Sequence, residues 1–141
     1  MNTDFLFRDT TMLCKDVTGK VLTSFYEVYN TLGYGFLERV YQNALYKELK
    51  KQGLKVEVQK EIKVFYKGEE VGTYFADMLV EDKVLLELKS VEALIPVHET
   101  QILNYLKATD IEIGLLLNFG SKPAFKRKVF SSYAKTAHLR K

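Results

Sequence analysis

A single cysteine, Cys14, leaves no partner for an internal disulfide, which argues against a disulfide-stapled secreted domain and predicts a reducing, cytoplasmic setting. No apolar run is long enough to span a bilayer and no secretory h-region is present, so neither a membrane span nor a leader is expected. Only two prolines occur, with no Pro-rich or Ser-rich stretch, no repeat and no low-complexity segment to mark a linker. Acidic residues are missing from one end: all 18 lie at or before Glu112, while 7 of the 21 Lys and Arg follow it. Residues 1–112 therefore carry −4 and residues 113–141 carry +7. Such a basic end fits contacts to a phosphate backbone, and it fits equally a solvated tail that keeps the protein soluble.

What is present suffices for one core. With 47% hydrophobic and 13% aromatic residues in 141, the chain is too short for two comfortable domains. One domain over residues 1–141 is predicted, with 1–10 a loose N-terminal segment and 131–141 a basic tail.

Apolar residues at Val17, Val21, Leu22, Phe25, Val28, Tyr29 and Leu32 recur at three and four, which predicts a helix from about Thr11 to Leu32, ended by Gly33 and Gly35. A second helix is expected from Phe36 to Gln52, with Leu37, Val40, Tyr41, Ala44, Leu45 and Leu49 inward and Gly53 as its stop. Glu38 falls in its first turn, where free N–H groups and the helix dipole favour an ionised carboxylate. The period then changes to two. Strands are predicted near 56–66, 71–80 and 84–90, separated by turns at Lys67–Glu70 and Glu81–Lys83, the third apolar on one face through Val84, Leu86 and Leu88. A helix from Val97 to Ala108 follows Pro96, then a continuous apolar strand from Ile111 to Phe119 and a short edge strand over Phe125–Phe130. The expected fold is α/β, a mixed sheet flanked by helices.

Alternation places Phe75, Asp77 and Leu79 on one face of the second strand and Leu85, Glu87 and Lys89 on one face of the third. Symmetric pairing across the Glu81–Lys83 turn brings Asp77 opposite Glu87 or within one register step. Two carboxylates that close repel unless a cation lies between them. Oxygen ligation by Asp77, Glu87 and a backbone carbonyl such as that of Leu88 suits magnesium or manganese rather than zinc. Lys89, one pleat on, would orient or help deprotonate an attacking water and steady phosphate charge. The same residues also fit a surface Glu87–Lys89 pair on an edge strand, with Asp77 capping a bulge.

The run Gly35-Phe36-Leu37-Glu38-Arg39-Val40-Tyr41, followed by Ala44-Leu45 and Glu48-Leu49, resembles the GxxExxY family. Further matching segments are Tyr74-Phe75-Ala76-Asp77, Leu86-Glu87-Leu88-Lys89, Gln101-Ile102-Leu103-Asn104-Tyr105-Leu106 and Gly114 to Gly120, so that the resemblance covers about residues 12–130. Such proteins look like members of the PD-(D/E)XK nuclease superfamily. The resemblance implies a restriction-endonuclease-like fold and a divalent-metal-dependent nuclease that hydrolyses phosphodiester bonds, DNA before RNA. A non-catalytic nucleic-acid-binding or partner-binding module on the same fold is the alternative.

Carried over residue by residue, the resemblance implies Asp77 and Glu87 as metal ligands, Lys89 as the catalytic lysine and Glu38 as a further acidic member near the metal. Gln101 and Tyr105, four apart on one helix face, match its Gln-x-x-x-Tyr and would reach a metal-bound water or a phosphate; a rim Gln with a core Tyr fits them too. Tyr41 is expected to pack, its hydroxyl supporting the Glu38 carboxylate. His98 matches a recurrent family position but reads as a polar residue opening a helix. Lys122, Lys126, Arg127 and Lys128 are candidates for backbone contacts. The chain departs from the family in lacking a His near Tyr29 and in having Tyr34 where Pro is common. The many aromatics, Tyr34, Phe36, Tyr66 and Tyr74 among them, also leave room for a homodimer, whose paired sites would suit a duplex or branched substrate.

Overall fold

The helical spacing at the start of the chain is realised in a computed structural model, which describes the backbone of residues 3–131 and the side chains of residues 14–131. The tail at 132–141 lies outside the described residues. Helix α1 (Thr3–Leu32) starts well before Thr11 and takes in residues 3–10, where the sequence predicts a loose segment. It buries Val17, Val21, Phe25 and Val28 along one stripe. Helix α2 (Glu38–Lys51) buries Tyr41, Leu45 and Leu49. Leu37 and Val40, expected to face inward, are exposed. Leu37 is the extended N-cap, outside the helical screw, and Val40 lies one residue off the stripe set by Tyr41, Leu45 and Leu49.

Strands β1 (Val56–Tyr66) and β2 (Glu69–Val80) form a long hairpin. Its turn is two residues, Lys67 and Gly68, with φ of 49° and 83°, the mirror-image turn whose twist matches the flanking strands and for which glycine is suited. Strand β3 (Val84–Lys89) follows, then helix α3 (Pro96–Lys107), β4 (Ile113–Phe119) and β5 (Pro123–Val129). Sheet order is β1-β2-β3-β4-β5; β3 and β4 run parallel, joined through α3, and the other pairs are antiparallel. Strand β5 is an edge, as predicted, whereas β3 is the centre and is buried on both faces rather than one.

Helices α1 and α2 cover one face, packing on Met78, Val80, Leu86, Leu88, Leu115 and Leu117. Phe119 anchors this layer, edge-on to Phe25 at 4.8 Å and stacked on Tyr41 at 4.2 Å. Each such fully buried side chain contributes about 1.5–3 kcal/mol. Helix α3 covers the other face, where Tyr105 and Leu106 meet Ile62, Ala76, Leu79 and Leu85.

That second cluster joins Ala76 to Leu79, which straight alternation would separate. Gln59 and Asp77 are skipped in the β1–β2 pairing between Val58↔Met78 and Lys60↔Ala76, and Gln59 has φ of 52°. The hairpin kinks at this step and its inside-outside sense reverses. Phe75, Asp77 and Leu79 therefore do not share a face as the sequence predicts; Phe75 is exposed and Leu79 is buried.

Candidate active site

The kink places Asp77 where β2 parts from β3. Regular pairing of these strands ends at Met78↔Leu86, and beyond it carboxylates replace carbonyls as acceptors. The Asp77 N–H donates to Glu87 Oε1 at 3.1 Å, and the Leu88 N–H donates to Asp77 Oδ2 at 2.7 Å. Each carboxylate thus accepts a backbone N–H from the strand of the other, so Glu87 can be only 6% exposed without being orphaned. In an extended strand N–H and C=O leave the same edge, so the Leu88 carbonyl is directed to this side as well.

Burial, and then the Asp77 charge beside it, push the Glu87 carboxyl up to about 8, against the Asp77 N–H and Lys89. Burial also raises Asp77, opposed by the Leu88 N–H and Lys89. Glu38 stands at the first helical residue of α2, exposed, within the field of the pair. The helix dipole predicts a readily ionised Glu38, yet desolvation raises it, with Asp77 adding and Lys89 and His98 opposing. Lys89 is half-buried and acts electrostatically on all three carboxyls. Among the described residues no three His, Cys, Asp or Glu side chains converge on a metal position. The structure brings Asp77 and Glu87 together and leaves Glu38 outside the pair.

Sequence and fold now coincide on one family, because residues 15–129 match the profile of the PD-(D/E)XK nuclease superfamily. The chain belongs to that superfamily. A solved structure, that of SSO0001, has the same fold with a TM-score of 0.50 at 16% identity, over 73% of this chain and 55% of that one. The chain thus spans about half the length of that protein. No curated protein matches it.

The remaining residues predicted for this nuclease-superfamily site divide between the site and its scaffold. Gln101 Nε2 donates to the Tyr105 hydroxyl at 3.0 Å, with Tyr105 in the core and Gln101 at its rim. Burial and the Glu87 charge raise Tyr105, so this phenol borders the carboxylates. The Tyr41 hydroxyl donates to the Gly33 carbonyl at 2.7 Å and accepts from the Phe36 N–H at 3.3 Å. Its one proton is engaged by the loop into α2 and not by Glu38, so its support of that carboxylate is indirect. His98 Nδ1 accepts the Ile95 N–H at 3.2 Å, closing the start of α3.

The basic set does not gather at one place. Along β5, Lys126 and Lys128 oppose Leu116 and Gly114 on the α3 side, while Arg127 opposes Leu115 on the α1 side. Lys128 is paired with Glu99 of α3 at 2.6 Å, and Lys122 lies in the loop before the strand. Strand period two makes this separation unavoidable.

Sequence reasoning gave Asn118, Ser90, Gly120 and Tyr29 no part in holding the site. Asn118, opposite Lys89 in the parallel pair, is 1% exposed and grips Val91 twice, accepting its N–H at 3.0 Å and donating to its carbonyl at 2.9 Å. Ser90 Oγ donates to the Phe36 carbonyl at 3.0 Å, tying the end of β3 to the loop before Glu38. The Tyr29 hydroxyl lies 2.8 Å from the carbonyls of both Gly120 and Ser121. A Cβ at Gly120 would stand 2.4 Å from the Val91 carbonyl oxygen, so only glycine permits this approach. An amide within the apolar run of β4 was the available signal for Asn118, because a polar group there must find a buried partner. No helix among the described residues is long and apolar enough to cross a membrane.

Proposed function

We propose that the chain is a magnesium- or manganese-dependent nuclease of the GxxExxY group that hydrolyses phosphodiester bonds of nucleic acid, DNA before RNA. The observation that carries this reading is the fork at which Asp77 and Glu87 exchange backbone hydrogen bonds, with Lys89 one pleat beyond. The donor set fits a hard divalent cation: each carboxylate keeps one oxygen outside that exchange, the Leu88 carbonyl faces the same side, and every donor is oxygen. A pair of carboxylates that resist joint ionisation is stabilised by a cation between them. When bound, such an ion supplies Lewis acidity and an acidified water.

Asp77 and Glu87 are the residues that would hold it, with the Leu88 carbonyl in support. Lys89 orients the attacking water by donating to it from Nζ and offsets charge that builds on the phosphate. Glu38, at the mouth and outside the pair, orders water in an outer position. Gln101, braced by Tyr105, presents its amide oxygen towards incoming solvent or substrate. Lys126 offers a phosphate contact on the α3 side.

The test is cleavage of single-stranded, duplex, branched and supercoiled DNA, and of RNA, in magnesium, manganese or chelator. Metal-dependent cutting is expected, falling about 100-fold or more in Lys89→Ala and Glu87→Gln with folding retained. Variants that cut as fast as wild type would refute the site. Folded wild type that binds nucleic acid and cuts none of these substrates would replace the nuclease with a non-catalytic binding module.

A further inference from the structure

Beside the carboxylate fork, α3 and the β1–β2 hairpin form a groove of about 660 Å³ that meets the proposed site at Gln101 and Tyr105 and otherwise has no role in it. We infer that this groove receives one unpaired nucleobase of a strand whose backbone passes the Asp77–Glu87 fork. The inference rests on the nuclease reading and extends it to the form of the substrate.

The groove is within the usual range for a small-molecule site, about 300–1,000 Å³. Its walls offer ring faces and apolar surface: Tyr74 is 51% exposed, Phe65 60%, and Val97 is also exposed. Two amides, Gln101 and Asn104, lie among these walls, each able to donate to and accept from a base edge. No Asp or Glu lines the groove, and its one charged side chain is Lys107, which suits an anionic strand rather than a basic peptide. The groove is continuous with the fork through Tyr105, which lines it, contacts the Tyr74 ring at 5.8 Å, and feels the charges of Glu87 and Asp77.

A base inside a duplex has its faces covered by neighbours and its pairing edge by its partner. Only an unpaired or extruded base can lay a face on Tyr74 and turn an edge to the amides. The hairpin that carries Tyr74 extends past the end of β3 because β2 pairs with β3 only from Met78 to Val80. The kink at Asp77 turns Tyr74 towards α3, so the feature that sets the metal-ligand geometry also shapes the groove.

The full chain is titrated in chelator, where it cannot cut, against fluorescein-labelled single-stranded DNA of about 20 nucleotides and a blunt duplex of equal length, by anisotropy. Single strand is expected to bind about tenfold tighter than duplex. Tyr74→Ala is expected to weaken single-strand binding by about 5- to 100-fold, the range for loss of one base-aromatic stack, while Tyr74→Phe retains it and duplex binding is unchanged in both. Circular dichroism and thermal unfolding establish that these surface variants fold.

Equal affinity for the two forms, or Tyr74→Ala binding single strand like wild type, would overturn the inference. So would self-association that Tyr74→Ala abolishes without any nucleic-acid binding, which would assign the groove to a second copy. Because the titration excludes catalysis, a protein that binds in this way but never cuts keeps the groove and loses the nuclease. One that cuts single strand and duplex alike, unaffected by Tyr74→Ala, keeps the nuclease and loses the groove.

Discussion

Burial and the neighbouring Asp77 raise Glu87 to about 8 from an ordinary 4.5, and that displacement has a thermodynamic consequence. The folded state holds this proton more tightly than the unfolded state does, so the associated stability is fully present below about pH 4.5 and is lost as pH rises through about 8. Asp77 and Glu38 are displaced in the same sense. In chelator, the melting temperature is expected to fall between pH 5 and 8, on the order of 5 °C, and to fall less in Glu87→Gln, which keeps the acceptor for the Asp77 N–H. A wild-type melting curve with the same pH dependence as the variant would contradict this. Magnesium at pH 8 should restore the loss in wild type, because a cation is held by the ionised pair. At this scale the nearness of Asp77, Glu87 and Lys89 was legible, since charged residues in apolar strands stand out. The load on Glu87 was not, because it arises from how far a particular fold excludes water.

Among the elements, the end of β3 is held by contacts that secondary structure alone does not supply. Asn118 grips Val91 from β4, Gly120 lets the two chains touch, and Ser90 reaches the loop before α2. Asn118→Ala leaves a buried N–H and C=O without their partners and is expected to cost about 2–4 kcal/mol in urea unfolding. Gly120→Ala forces a side chain against a backbone oxygen and should cost about 1–3 kcal/mol or more. Both act on Val91, so the double variant is expected to lose less than the sum; strict additivity would show that the two contacts are independent. Period and breakers predicted in order the eight elements found among the described residues, most ends within a few residues, but placed the start of α1 at about Thr11 instead of Thr3. The reversal of face at Asp77 escaped prediction because it depends on the backbone twist of Gln59 on the paired strand, far away in sequence.

Charge is distributed over the whole molecule in a way that composition could only suggest. The basic cluster at 126–128 is divided by β5 between opposite faces, and one member is engaged with Glu99. If nucleic acid lies along the α3 face, Lys126→Ala should weaken binding and reduce the salt slope of log affinity by about 1, whereas Arg127→Ala should leave both near wild type. Anisotropy over a salt series measures this, and an Arg127→Ala effect as large as that of Lys126→Ala would move the docking face to the α1 side.

Sequence by itself determined the order of the elements and the nearness of Asp77 to Glu87, because apolar period and the rarity of unpaired charges in strands are local properties. Tertiary structure alone decided that β3 is buried on both faces, that Glu38 stands outside the pair, and that Tyr41 serves a loop rather than a carboxylate. It also decided that Asn118 secures the end of β3 and that the basic residues part company. Each of these depends on which distant segment lies alongside, and hence on the distances over which water is excluded and hydrogen bonds can close.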